Sequence, residues 1–479
     1  MNTSRRQFLG GAAASFFIGG CATKVAPRKV GPNGKVNVAI IGCGWIARFH
    51  NTPCFLKDPR CRVTVACDMV KMAPGYFYGE RRSSFTGPLV AADGTYRKDV
   101  CGSTVIKSLV DKAYGDHACR EVVDWRDVID DPTIDAVCIC TPDHWHAIIA
   151  IAAMKAGKHV FCQKPLSLCI RQGQEMVRVW KETGVTFQTG NQGRNNPQLR
   201  LPDELVLNGY AGKILGVTVA IPRGNHWRWH GYSKDRAPLP DYFTKETWDL
   251  WQGPAEHFEN DAYIPSIHEP TCWRFNRRYG GGTIPDFGAH EMDFLQRALG
   301  MDLSGPVAVE NMKTNLHDDN DIFSYASEFS FDYVYANGVR VHAINVDADH
   351  PRQCVYHTEK GDFGLIDWKK VVPKEFENFK ESDFTAKDRH VYIAKNGHDD
   401  ELKHEGDFLD GIFEGRQCNS TCEIGHRTIT LSHLANICEL LRVSRVQWEP
   451  VRETFVGPNA EAANALLDTT YHNGWELGA

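Results

Sequence analysis

Beyond its first twenty residues the chain lacks any apolar run long enough to cross a bilayer, which excludes a membrane-spanning domain in that part. Outside the N-terminus it lacks a basic cluster, and with a formal net charge of −6 it is not expected to bind nucleic acid. Internal repeats and low-complexity tracts are missing, and plentiful aromatics with mixed charges exclude a disordered or fibrous chain. Metal-site spacings are missing too. Cys138-x-Cys140 puts two thiols on one strand face, and no cysteine or acid cluster completes a set around His144/His146 or His226/His230, so no metal is expected. What is present is length: 479 residues allow at least two domains with full cores.

The first residues read as an address. Ser4-Arg5-Arg6-Gln7-Phe8-Leu9 followed by a Gly/Ala-rich run is a twin-arginine export signal. Ile18-Gly19-Gly20-Cys21 resembles a lipobox, which would place a lipid anchor on Cys21 and the protein in or facing the periplasm; the alternative is cleavage at a nearby small-residue site. Residues 1–21 are thus signal and 22–34 a Pro/Gly/Lys-rich tether. Sixteen cysteines in an exported chain would ordinarily suggest disulfides. The twin-arginine route carries proteins already folded, however, and several cysteines sit inside apolar strands as small hydrophobes, so most are expected free and buried.

The stretch VNVAIIGCGWIA, 36–47, organises the rest. Its first six residues, five of them apolar, read as a strand buried on both faces, running into the tight turn Gly42-Cys43-Gly44 and a helix from Trp45 and Ile46 onward. Gly42 permits the turn, Gly44 lets backbone N–H groups approach a pyrophosphate, and Ala47 stands at the third small position of GxGxxG. A second apolar strand, RVTVACD, ends in Asp68, placed to bond a ribose 2′-OH and repel a 2′-phosphate, which favours NAD over NADP. Helix N-capping is the alternative role for Asp68.

An irregular stretch, 69–125, reads as an insertion. Helices and strands then alternate to residue 190, giving an α/β Rossmann domain over 35–190 with a parallel doubly wound sheet. Residues 191–479 read as an α+β domain with a large open, mostly antiparallel sheet: strands near 214–222, 307–313, 322–331, 339–346 and 354–363, helices near 202–208, 289–300, 401–413 and 426–441.

Four motifs in order, GCGWIA, TPDHWHA (141–147), AGKHVFCQKPL (156–166) and GGGTIPDFGAHEMD (280–293), resemble the Gfo/Idh/MocA oxidoreductases across nearly the whole mature chain. The resemblance implies an active site between the two domains, acting on sugars, cyclitols or related polyols. It implies that Lys164 touches the reacting hydroxyl, with Asp286 and His290 as acid/base couple, the histidine taking the proton and the aspartate orienting or relaying it. Thr141, Pro142, His146, Gln163 and Lys164 join Gly42, Gly44, Trp45, Ile46 and Asp68 around the cofactor. Asp286 and His290, four apart at the start of a helix, can share a face, and Gly280-Gly281-Gly282 lets backbone approach a ligand. One departure is Gln163, where the family has a glutamate that binds the nicotinamide ribose; an amide still offers an acceptor.

Substrate contacts are expected from Asn191, Gln192 and Arg194 and from the aromatic and basic loop His226-Trp227-Arg228-Trp229-His230; for that loop sugar binding and a structural role stay open. Trp248 and Trp251 read as core residues first. The leading expectation is an NAD-dependent enzyme moving hydride at a secondary alcohol of a sugar or glycoside, with cofactor held tightly because export removes it from the NAD pool. The rivals are a redox-neutral glycosidase or epimerase and a non-catalytic sugar-binding lipoprotein. A homo-oligomer, dimer or tetramer, is the expected assembly.

Overall fold

The strand that opens the nucleotide motif is the middle of a sheet. In the computed structural model, which describes residues 30, 34–74, 90, 94, 96–223, 233–269, 272–316, 322–389 and 403–478, the first strands are β1 (Val36–Ile41), β2 (Cys61–Cys67), β3 (Arg120–Val122), β4 (Ala136–Ile139), β5 (His159–Gln163) and β6 (Phe187–Gly190). Among the described residues they form a six-stranded parallel sheet in the order β3-β2-β1-β4-β5-β6. That is the order of dinucleotide-binding doubly wound sheets, with its switch point between β1 and β4. Burial along β4 and along β1, broken only at Asn37, follows from helices covering both faces.

The irregular stretch expected at 69–125 is corrected: it contains helix Ser103–Tyr114 and strand β3, the ordinary continuation after β2. Its sequence STVIKSLVDKAY opens with small and β-branched residues that blur a helical period, and its bounds are set by glycines, Gly102 and Gly115, both at positive φ.

The second sheet holds β7 (Ile214–Ile221), β8 (Ala308–Thr314), β9 (Phe329–Val334), β10 (Arg340–Asn345), β11 (Gln353–Thr358), β12 (Gly361–Ile366), β13 (Lys369–Val371), β14 (Val446–Glu449) and β15 (Thr454–Val456). Among the described residues these nine run in the order β13-β12-β11-β7-β10-β9-β8-β14-β15, antiparallel except where β7 pairs β10. The strand expected at 354–363 is a hairpin, because Glu359-Lys360 before Gly361, at φ +111, turns the chain. The one expected from 322 begins at Phe329; Ile322 and Phe323 instead fill a satellite core with Ile264, Ile267 and Phe275.

Helices Pro197–Leu207, Thr283–Ala298 and Cys422–Leu440 cover one face of this sheet. The chain also returns to the first domain. Helix Lys403–Glu414 lays Phe408, Leu409 and Ile412 on β1, β2 and β5, with Phe408 edge-on to Phe55 and Phe161. On the other face, Cys422, Ile429 and Trp475 join Trp125 and Trp145. The fifteen described cysteines are free and buried. No helix among the described residues is long and apolar enough to cross a membrane.

Candidate active site

The C-terminal ends of β1, β2, β4 and β5 open on one cavity of about 490 Å³, the edge where such sheets take ligands. Gly42, Gly44, Trp45 and Ile46 line it at the β1 turn, Asp68 after β2, Thr141 and Pro142 after β4, Gln163 and Lys164 at the end of β5. Gly42, at φ +86, lies so close to the Cys140–Thr141 backbone that a Cβ there would come within 2.7 Å of it. Gly44 is the opposite case: a Cβ there would meet nothing within 4 Å, so bare backbone faces the cavity. Asp68 accepts the Cys43 N–H at 2.6 Å and the Val70 N–H at 2.8 Å, which fixes its carboxylate beside the glycine turn. Burial still raises its pKa, against those two bonds. Thr141 Oγ1 is buried at the lip without a hydrogen-bond partner among the described residues. Open space over Gly44, a fixed carboxylate and an unsatisfied hydroxyl fit a dinucleotide with a free ribose diol.

The other end of the cavity carries charge. Helix Thr283–Ala298 starts after Gly282 and brings Asp286 in its first turn, where a carboxylate suits the helix N-terminus, and His290 one turn on. Lys164 Nζ lies 3.0 Å from Asp286 Oδ1 and donates to the Asp286 carbonyl at 2.5 Å; Arg274 Nε lies 3.2 Å from Asp286 Oδ2. Burial alone would raise the Asp286 pKa, but the two cations outweigh it and hold it at about 2. His290 is pushed well below the usual imidazole value by burial first, then by Lys164 and Arg352. Its ring packs on Trp368 at 5.4 Å and makes no hydrogen bond among the described residues, so a neutral base is presented to the cavity.

Residues 197–477 match the model for the oxidoreductase family's C-terminal alpha/beta domain, and 90–191 that for the family's NAD-binding Rossmann fold. The chain belongs to the Gfo/Idh/MocA oxidoreductase family. Levoglucosan dehydrogenase of Pseudarthrobacter phenanthrenivorans is 29% identical over 178 residues, 37% of this chain and 36% of that one. Myo-inositol 2-dehydrogenase of Thermotoga maritima is 32% identical over 150 residues, 31% and 42% of the two chains. The match therefore spans about two-fifths or less of those relatives' own length. The solved levoglucosan dehydrogenase complex with NADH and levoglucosan shares the fold at TM-score 0.54 and 18% identity, over 86% of this chain and 99% of that one. GenD2 from gentamicin A biosynthesis, in complex with NAD, does so at TM-score 0.55 and 16% identity, over 89% and 99%.

Several expected site residues of this family member lie elsewhere. His146 does not face the cavity: it is buried between the carbonyls of Pro165, 2.7 Å from Nδ1, and Thr141, 2.9 Å from Nε2. Burial lowers its pKa to about 4, so the neutral ring donates to one of them and ties the β4 turn to the β5 turn from behind. Asn191 and Arg194 are buried too. Asn191 donates to Asp293 at 3.2 Å, and Arg194 bridges Asp293 at 2.7 Å and Asp302 at 2.9 Å; only Gln192 of that trio lines the cavity. Arg194→Met strands Asp293 in the core and is expected to lower stability by about 3–5 kcal/mol in denaturant titration, with the substrate KM unchanged. His226, Trp227, Arg228, Trp229 and His230 lie outside the described residues, as do Cys21 and the signal.

The glycine triad closes on this chain and not on a ligand. Cβ atoms would strike the Arg274 backbone from Gly280, Pro285 from Gly281 and Tyr325 from Gly282. Trp248 is core, stacked at 5.3 Å on Trp251, whose ring reaches the cavity. Gln163 lines the cavity while its amide donates to Asn51 at 2.8 Å, and Asn51 donates to buried Glu405 at 3.2 Å. A glutamate at 163 would bring a second buried carboxylate into this network, which accounts for the amide. Arg274, Arg352 and Trp273 were not anticipated; "CWRFN", 12 residues before Asp286, is the nearest signal.

Proposed function

We propose that this protein is an NAD-dependent oxidoreductase that moves hydride to or from a secondary alcohol of a sugar or glycoside. The observation that carries the reading is the convergence of a neutral His290 and the Lys164–Asp286 pair on the cavity that begins at the Gly42–Gly44 turn. By their names, two relatives oxidise an anhydrosugar and a cyclitol, both secondary alcohols. Bound NAD would supply the hydride acceptor. Lys164 Nζ, steadied by Asp286, donates a hydrogen bond to the reacting oxygen, and His290 takes the hydroxyl proton. Lys164 and Arg274, working against burial, favour the anionic form of Asp286, which suits it to orient Lys164.

The twin-arginine motif supports export in the folded state, and a protein outside the cytoplasm has no NAD pool to draw on. We therefore read the cofactor as tightly held, and the net reaction as either exchange between a donor and an acceptor sugar or a redox-neutral cycle. Asp143 favours keeping the second: it lines the same cavity, and burial, then the Asp286 charge, raise its carboxyl to about 7, a value suited to an additional proton transfer.

The test uses natively expressed protein. Mass spectrometry of its N-terminus should find a processed chain lipidated on Cys21, heat denaturation should release NAD, and the native protein should convert sugars with none added. Paired oxidised and reduced products indicate exchange; one isomerised or cleaved product, deuterated from solvent beside the reacting carbon, indicates the redox-neutral cycle. A chain beginning at Met1, or an empty protein that needs added NAD and releases NADH stoichiometrically, overturns the tight-cofactor reading. Sugar binding without turnover overturns the enzyme itself.

A further inference from the structure

Behind the Gln163 wall of the cavity, His50, Cys54 and Glu405 come together, and none of the three lines the cavity itself. One atom of each, an imidazole nitrogen, the thiol sulfur and a carboxylate oxygen, lies within 4.8 Å of the other two. His50 Nε2 is 3.2 Å from Glu405 Oε1. The ligands of a tetrahedral zinc ion, at ordinary bond lengths, stand about 3.3–3.8 Å apart, so small side-chain rotations bring this set to a common centre. His50 and Cys54 are four apart, where a turn over Ala47–Asn51 runs into helix Thr52–Lys57. Glu405 comes from the first turn of helix Lys403–Glu414, 354 residues after Asn51. That separation is why the sequence carries no metal-site spacing here.

The backbone at the cluster is unusual. Thr52 donates to the Ala47 carbonyl five residues back, which widens Ala47–Asn51 into a π-helical turn. Pro53, with no N–H to give, makes room for it. Such turns are rare and gather at functional sites. This one delivers His50 and Asn51 to the same carboxylate: Asn51 donates to Glu405 Oε1 at 3.2 Å, the kind of outer bond that orients a metal ligand. Glu405 is buried, and its Oε2 has no hydrogen-bond partner among the described residues. A buried carboxylate left so is costly, whereas a divalent ion shared between it and a thiolate makes a neutral cluster. A histidine–glutamate contact alone would need neither the thiol nor the widened turn. One nitrogen, one sulfur and one oxygen suit zinc, which accepts all three, and not calcium or magnesium, which take oxygen.

We propose that His50 Nε2, Cys54 Sγ and the Glu405 carboxylate hold a zinc ion that pins the Lys403–Glu414 helix to the nucleotide-binding domain. The Cys54 thiol gives its proton to solvent as the ion binds, and water takes the fourth position on the side of the partly exposed His50. The site stands apart from the sugar chemistry, so it holds or fails independently of the oxidoreductase reading.

The experiment uses the full chain, untagged, stripped with a chelator and reloaded with Co²⁺, whose thiolate charge-transfer band reports a cobalt–sulfur bond. One cobalt per chain with that band, displaced by Zn²⁺, is the expected result. Zinc well above its dissociation constant should raise the thermal midpoint by about 3 °C or more. Cys54→Ser should abolish the band. Because a serine at that buried position can also impair folding, His50→Gln is the second variant. Its metal-free midpoint should stay close to that of the wild type, while its zinc affinity falls by about 100-fold or more, beyond what most outer-shell losses cost. Absence of stoichiometric cobalt in the wild type, a thiolate band that persists in Cys54→Ser, or wild-type zinc affinity in His50→Gln overturns the site. Zinc bound there without a rise in the midpoint overturns the pinning.

Discussion

Replacing His290 with alanine is expected to lower sugar turnover by ~10²–10⁴-fold, the span of a lost general base, with NAD affinity changed by no more than a few-fold. Lys164→Ala should fall in the same range, since it removes the hydrogen bond to the reacting oxygen. Single-turnover rates on variants loaded with NAD separate this from a binding defect; wild-type rates in both would move the active site elsewhere. The pH dependence gives an independent check. A base whose pKa is depressed by burial and by Lys164 and Arg352 is in its working, neutral form above that depressed value, and loses function only as pH falls through it. In an Asp143→Asn variant, which removes the cavity carboxyl raised to about 7, the oxidation rate should therefore cross the ordinary imidazole region, about pH 6–7, without an inflection. A bell centred there in that variant would mean that His290 titrates normally and is not enclosed by those cations.

Gly44→Val is the second large effect, and the structure separates it from its neighbour. Around Gly44 a side chain meets only open cavity, so the substitution should leave folding intact while filling the space required by a pyrophosphate. NAD affinity is expected to drop by about 100-fold or more, with the thermal midpoint of the cofactor-free protein unchanged. Gly42→Val should lose the cofactor and the fold together, because its side chain must enter the Cys140–Thr141 backbone from a positive φ. The contrast is measured by fluorescence titration of NADH alongside calorimetry. Equal destabilisation by the two variants would contradict the open face assigned to Gly44.

The residues legible in the sequence are those whose environment is local. A strand buried on both faces, a tight Gly-x-Gly turn and an acid closing the next strand announce themselves, and the structure places Gly42, Gly44 and Asp68 on one cavity wall. Asp286 and His290 were legible by helical spacing combined with family resemblance. Polar residues that the fold later buries were not. Arg194 and His146 look like surface chemistry until Asp293 and Asp302, about a hundred residues away, and the Pro165 carbonyl take up their bonds. Arg352 was missed for the converse reason: it lies beyond four strands of the second sheet, and only the fold brings it to His290 through Trp368. The glycine triad was misread because close approach by a ligand and close approach by the chain itself demand the same residue.

The helix at Lys403–Glu414 bears on how the protein is made. Strand β6 ends at Gly190, yet the apolar face formed by Phe55 and Phe161 is covered only when Phe408 arrives, more than 200 residues later. At about 5–20 residues per second of synthesis, that leaves roughly 10–40 s in which the nucleotide-binding half stands on the ribosome with one flank bare. Residues 35–190 expressed alone would keep that flank permanently exposed and should aggregate, whereas a split chain supplied with 403–478 in trans could be rescued. Such late, long-range closure also implies slow folding, since distant contacts must form before the first sheet is covered. Commitment to the native state thus waits for the helix Lys403–Glu414 to be made.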